Sequence, residues 1–165
     1  MNGADLRVGT AFDAHRLVAG RPLVLGGVRI PHPFGPDGHS DADLVCHVLL
    51  DASLGAAGLG DIGRRFPSEP EWRDARSLAL LELGFGEVAR AGWRLVNADC
   101  VLVCQAPRIA PHVQAMAAAL APALRTTPDR VSVRGTTTDG LGFVGRGEGL
   151  AAQAVVLLER RAPAR

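Results

Sequence analysis

The spacing at which apolar residues recur along this chain switches between strand-like and helix-like, and that switching leaves few folds open. Residues 5–12 (DLRVGTAF) alternate as a short strand does, and 23–30 (LVLGGVRI) read as an extended pair broken at Gly26 and Gly27. From Asp41 the pattern changes. Leu44, Val45, Val48, Leu49 and Ala52 recur at helical spacing, Ser40 or Asp41 offers an N-cap, and Gly58 and Gly60 end a helix of about 41–57. A second helical stretch runs roughly 74–91. WRLVNADCVLVC (93–104) then reads as a strand, 110–125 as a helix opening at Pro111, and VSVRGTTT (131–138) and LAAQAVVLLE (150–159) as strands. The segment His32 to Gly38 carries two Pro and two Gly and predicts a surface loop. The order β, β, α, α, β, α, β, β predicts an α+β (α/β sandwich) fold with helices covering one face of a sheet.

At 165 residues the chain fits one domain, residues 1–165, with a real core. It is 47% hydrophobic, 21% charged and carries a net charge of +1. That balance argues against disorder, against a nucleic-acid partner and against an anionic membrane surface. Small anions remain open, because a few well-placed Arg suffice. The opening MNGADLRVGTAF has no charged leader followed by an apolar run, so no secretory signal is expected, and no apolar run reaches membrane-spanning length. The three cysteines, Cys46, Cys100 and Cys104, are an odd number with no CxxC pair, which points to a reducing cytoplasm.

Asp13-Ala14-His15 puts two ligand-type side chains on one side of an extended segment, at the end of the first predicted strand. By itself the pair is better read as a turn cap beside an ordinary surface histidine, and it decides nothing alone. In His39-Ser40-Asp41-Ala42-Asp43-Leu44-Val45-Cys46-His47, the residues Asp43, His47 and Asp51 fall on one helical stripe opposite the apolar face. One carboxylate and two imidazoles suit zinc, which takes three protein ligands at catalytic sites and leaves a fourth position open. Asp13, His15 and His47 meet that count. Asp43 and Asp51, one turn to either side of His47, are expected to orient its second ring nitrogen, and Cys46 to belong to the core.

Residues 135–149, Gly-Thr-Thr-Thr-Asp-Gly-Leu-Gly-Phe-Val-Gly-Arg-Gly-Glu-Gly, alternate glycine with anion-binding groups. Backbone N–H groups, the hydroxyls of Thr136, Thr137 and Thr138, and the fork of Arg146 suit phosphate, and Asp139 is a hard oxygen ligand suited to magnesium. The pattern is not a Walker loop, since no Gly-Lys-Ser/Thr is present and a strand follows. A plain Gly-rich hairpin remains the alternative. Gln105-Ala106-Pro107-Arg108 forms a second short loop after the strand ending at Cys104.

Taken together, GTAFDAHRL (9–17), LGGVRIP (25–31), HSDADLVCH (39–47), LDASLGAAGLGDIG (50–63), QAPR (105–108) and TTTDGLGFVGRGEG (136–149) resemble the 2-C-methyl-D-erythritol 2,4-cyclodiphosphate synthase family of the non-mevalonate isoprenoid pathway. The resemblance spans nearly the whole chain in the family's order. It implies cyclisation of 4-diphosphocytidyl-2-C-methyl-D-erythritol 2-phosphate with release of CMP. It also implies a mixed four-stranded-type sheet similar to trimeric chorismate mutase-like folds, and a homotrimer with sites between subunits. By position, Asp13, His15 and His47 match the family's zinc ligands, and Asp139 its magnesium (or manganese) carboxylate. His39 and Thr137 match its catalytic stabilisers.

Other implied substrate contacts are Asp13, His15 and Ser40, together with Asp61 and Gly63 of the ribose segment and Phe66 and Ser68 in the 66–70 loop. Cys104, Ala106, Pro107, Arg108, Ile109 and Ala110 match the cytosine pocket, while Thr136, Thr138, Phe143 and Arg146 belong to the glycine-rich segment. Asp139 replaces a usual Glu, Ser68 an Asp, Arg108 a Lys and Val144 a Thr. A zinc phosphohydrolase that activates water, using Asp41 or Asp43 as base, and a non-catalytic trimeric module with a structural zinc are the competing readings.

Overall fold

The computed structural model describes residues 5–67, 69, 72 and 75–161. Its main sheet has the strand order β4-β1-β7-β5-β6, with β1 Leu6–Ala19, β4 Phe34–Pro36, β5 Trp93–Val103, β6 Val131–Thr136 and β7 Gly149–Arg160. A four-stranded-type sheet was expected, and a fifth, three-residue strand is added at its edge. It lies inside the segment read as a loop, where Gly35 pairs with Val18 and a proline is tolerated because the strand has no outer neighbour. β5 and β6 run parallel, while β7 is antiparallel to both of its neighbours, so the sheet is mixed. A separate hairpin of β2 (Leu23–Leu25) and β3 (Val28–Ile30) turns at Gly26 and Gly27, both with positive φ, as a two-residue hairpin turn requires.

β1 is longer than expected. It continues to Ala19, so Asp13 and His15 lie within the strand and not at its end. The neighbour β7 explains the extension, because its unbroken register carries β1 through Arg16 opposite Gly149.

Three helices cover one face: α1 (Leu44–Ala57), α3 (Ser77–Arg90) and α4 (Val113–Ala123); the single turn α2 (Ile62–Arg65) lies between α1 and α3, and the single turn α5 (Gly142–Gly145) between β6 and β7. α1 is buried almost all round, which marks a central helix. Only His47, Asp51, Ala57 and the exposed Gly55 escape burial along it. It starts at Leu44, capped by Asp43 and not by Ser40 or Asp41, and ends at Gly58 in the left-handed region, as expected. The helix expected over 110–125 is a 3-10 turn at Ala110–His112 followed by α4.

Odd-numbered residues of β1 face the helices and even-numbered ones face away. The face away from the helices is bare: Val8 is 69% exposed, Phe12 66% and Val155 43%.

Candidate functional site

Close packing of β1 on α1 brings the two sequence-separated metal motifs together. Gly9 makes this approach possible, since a Cβ there would lie 2.0 Å from the Ala52 carbonyl oxygen of α1. Further along the same face, Asp13 and His15 meet His47. His15 Nε2 lies 3.1 Å from His47 Nδ1, and Asp13 Oδ2 lies 3.3 Å from His15 Nε2 and 3.4 Å from His47 Nδ1. Among the described residues these three form the group of His, Cys and acidic side chains able to hold a metal ion. Partial burial alone would raise the Asp13 pKa, but hydrogen bonds to both imidazoles, reinforced by the charge of His15, hold its carboxyl well below the usual carboxylate range.

The expected orienting roles of Asp43 and Asp51 are not observed. Asp43 is fully buried, and its carboxylate accepts N–H bonds from Gly26 (2.8 Å), Gly27 (2.6 Å), Val45 (3.1 Å) and Cys46 (3.3 Å), besides the Cys46 thiol. It caps α1 and anchors the β2–β3 turn. The reason is positional: a residue at the cap points its side chain back at the helix N-terminus, so Asp43 leaves the stripe that spacing assigned it. Asp51 accepts the Ile62 N–H at 2.9 Å and thereby holds the start of α2. The second nitrogen of His47 faces Ser77 instead, 3.1 Å away, a residue that the sequence reading left unremarked. Ser77 opens α3, and no local spacing links it to His47.

Beside the Asp13–His15–His47 cluster is a cleft of about 350 Å³, lined by His15, His39, Ser40, His47, Gly63 and Phe66 among the expected residues. Asp37, Trp72 and Leu80 also line it and were not foreseen. Asp61 borders this region as the cap of α2, accepting the Arg64 N–H at 2.9 Å. Ser68 lies outside the described residues.

The remaining site residues gather elsewhere. The Cys104 N–H donates to the Thr136 carbonyl at 2.9 Å, its thiol reaches the Ala106 carbonyl at 2.9 Å, and a Cβ on Gly135 would lie 3.0 Å from Ile109 Cβ. The 104–110 segment, which includes Pro107 and Arg108, thus packs beside the start of the glycine-rich segment. In that segment Thr137 Oγ1 lies 3.3 Å from Asp139 Oδ1, Thr138 Oγ1 donates to the Leu141 carbonyl, and Asp139 takes a positive φ. Arg146 forks onto Glu148 at 2.8 and 3.2 Å, a partner the sequence reading did not give it, and Phe143 packs beside Gly149.

This second group stands apart from the first. Asp13 pairs with Ala152, Ala152 with Leu102 and Leu102 with Gly135, so three inter-strand steps separate them. At about 4.8 Å per step the separation is about 14 Å.

A model of the YgbB family matches residues 6–159. The 2-C-methyl-D-erythritol 2,4-cyclodiphosphate synthase of Moorella thermoacetica is 54% identical over 154 residues, covering 93% of this chain and 94% of that protein. The synthase of Laribacter hongkongensis is 54% identical over 158 residues, covering 95% and 98%. A solved structure of a 2C-methyl-D-erythritol-2,4-cyclodiphosphate synthase in its CDP-bound form matches with a TM-score of 0.84 at 41% identity, over 92% of this chain and 99% of that one.

Proposed function

The chain belongs to the YgbB family of 2-C-methyl-D-erythritol 2,4-cyclodiphosphate synthases, and we propose that Asp13, His15 and His47 hold zinc at one end of its active site. The enzyme cyclises 4-diphosphocytidyl-2-C-methyl-D-erythritol 2-phosphate to the 2,4-cyclodiphosphate and releases CMP, a step of isoprenoid biosynthesis. The observation that carries the zinc reading is the spacing of the three donor atoms. Ligand atoms 2.0–2.1 Å from a tetrahedral zinc stand about 3.3 Å from one another, and the three here are 3.1, 3.3 and 3.4 Å apart. Zinc bound there would supply Lewis acidity toward a phosphate oxygen.

The 2-phosphate is itself the nucleophile toward the β-phosphorus, so the protein's task is to position and to neutralise charge. His39 and Ser40 line the cleft beside the metal ligands, where they meet the reacting phosphates. Asp61, Gly63 and Phe66 hold the ribose side, and Thr136, Thr137, Thr138 and Asp139 form the second phosphate end, with magnesium or manganese on the exposed carboxylate of Asp139. Residues 104–110 receive the cytosine, and Phe143 and Arg146 close the segment. No protein nucleophile is required. Burial pushes the Cys46 thiol well up, with Asp43 beside it adding to the effect, and pushes Cys100 to about 12.

A substrate that spans both ends exceeds what one chain brings together. This separation and the bare apolar sheet face support a homotrimer with sites between subunits, in which one subunit supplies the metal ligands and its neighbour the glycine-rich segment. Residues 1–165 act as one unit in that assembly. Three free cysteines suit the cytoplasm, and no helix among the described residues is long and apolar enough to cross a membrane.

The hydrolase alternative needs a free base beside the metal. Asp43 is buried under the α1 cap, and Asp41 is committed to the Ser77 hydroxyl and N–H. Incubation of the purified enzyme with substrate, zinc and magnesium, followed by mass spectrometry, is expected to give CMP and the cyclic diphosphate. Inorganic phosphate without cyclic product would overturn the reading. The variant His47→Ala is expected to lose its zinc, by elemental analysis, while keeping its fold.

A further inference from the structure

His47 faces two ways. Its Nδ1 turns to Asp13 and His15, and its Nε2 lies 3.1 Å from Ser77 Oγ. Ser77 is 1% exposed, and its hydroxyl donates to Asp41 Oδ1 at 2.5 Å. The same carboxylate oxygen accepts the Ser77 backbone N–H at 3.0 Å and the Asp43 N–H at 3.3 Å, and the Asp41 N–H donates to the Ala75 carbonyl at 3.2 Å. Asp41 is therefore tied to the start of α3 through both its main chain and its side chain.

The direction of these bonds follows from donor counts. A hydroxyl has one proton and two acceptor lone pairs, whereas an ionised carboxylate only accepts. The Ser77 proton goes to Asp41, so toward His47 the Ser77 oxygen acts as acceptor. With Ser77 accepting, the neutral imidazole carries its proton on Nε2, which leaves a lone pair on Nδ1, the nitrogen aimed at Asp13 and His15; Nδ1–H donates to Asp13 Oδ2, 3.4 Å away, only in the ring protonated on both nitrogens. The second lone pair of Ser77 faces Ser40 Oγ, 3.2 Å away on the wall of the cleft.

We propose that Asp41 and Ser77 form a positioning relay that fixes the tautomer and ring angle of His47, so that its Nδ1 lone pair is presented to the metal. The proposal rests on the zinc reading and names positioning residues on two segments for the role that spacing had assigned to Asp43 and Asp51. A purely structural Ser77, pinning α3 to the 39–43 segment, would affect stability but neither tautomer nor metal affinity.

Nitrogen-15 NMR of the metal-free protein at pH 8 reads the tautomer directly. The expected result is His47 protonated on Nε2 in the parent and a mixture of tautomers in Ser77→Ala. Zinc affinity, measured by competition with a chromogenic chelator, is expected to fall about 10–100-fold in Ser77→Ala, the usual cost of losing a group that orients a metal ligand. Asp41→Ala should lose a similar factor and the double variant little more, because the two residues act as one unit. Ser53→Ala removes another buried hydroxyl, bonded to the Leu49 carbonyl at 2.7 Å, and should keep the parent affinity. Parent-like zinc affinity in Ser77→Ala, additive losses in the double variant, or an Nδ1-protonated His47 in the parent would each overturn the relay. The last of these needs no variant to fold. Absence of zinc binding by the parent would remove the metal reading itself, with the tautomer measurement still deciding how His47 is held.

Discussion

Asp13 lies against two imidazoles, and that contact sets how its proton behaves in the metal-free chain. Its folded pKa lies below the ordinary 3.8, because the bonds to His15 and His47 outweigh the opposing effect of burial. A carboxyl depressed in this way contributes stability that is whole above its unfolded pKa and is lost as pH falls through the folded one. The stability advantage of the metal-free parent over Asp13→Asn should therefore hold down to about pH 4 and shrink below it, as measured by urea unfolding between pH 5 and 2. A constant difference across that range would show that the pairing does not persist without metal. At this scale the ligand types were legible, because aspartate and histidine carry their chemistry wherever they are placed. The partners of a side chain were not. Asp43 looked like a neighbour of His47 and proved to be the anchor of a hairpin turn, and Ser77 carried no local signal at all.

Between elements, the decisive contact is β1 against α1. Asp13 and His15 on the strand and His47 on the helix meet only if the two backbones approach as closely as Gly9 permits, with a Cβ there 2.0 Å from the Ala52 carbonyl oxygen. Gly9→Ala must push the strand away from the helix. Overpacking of this kind costs about 1–3 kcal/mol, and a backbone obstacle places this site at the upper end. The midpoint of urea unfolding should fall accordingly and zinc retention should fall with it. Unchanged stability would mean that the strand can shift without effect. The helices and most strands were legible from period alone, whereas β4 was hidden by its prolines and the full length of β1 by a register that only β7 supplies.

For the whole molecule, the question is how two groups about 14 Å apart in one chain would together serve one substrate. The face that carries Val8, Phe12 and Val155 is uncovered, and burying it against further copies would seat the glycine-rich segment of one subunit beside the metal ligands of the next. This arrangement predicts complementation. His47→Ala and Asp139→Ala should each be inactive alone, yet after being mixed, dissociated and reassembled in equal amounts they should recover about a quarter of parental activity. That is the fraction of interfaces pairing an intact half from each partner in a random cyclic trimer. No recovery, with mixed trimers demonstrated by mass spectrometry, would place the whole site within one chain.

By itself, the sequence determined most of the succession of elements, the side-chain types able to hold a metal and, through six ordered motifs, the family and its reaction. Those properties reside in side-chain chemistry and local period, which survive in one dimension. Only the tertiary structure decided that Asp43 caps a helix, that Ser77 and Asp41 face the far side of His47, and that Asp139 stands across the sheet from Asp13, His15 and His47. Each of these depends on a contact between residues far apart in the chain, which packing brings together and no spacing along the chain records.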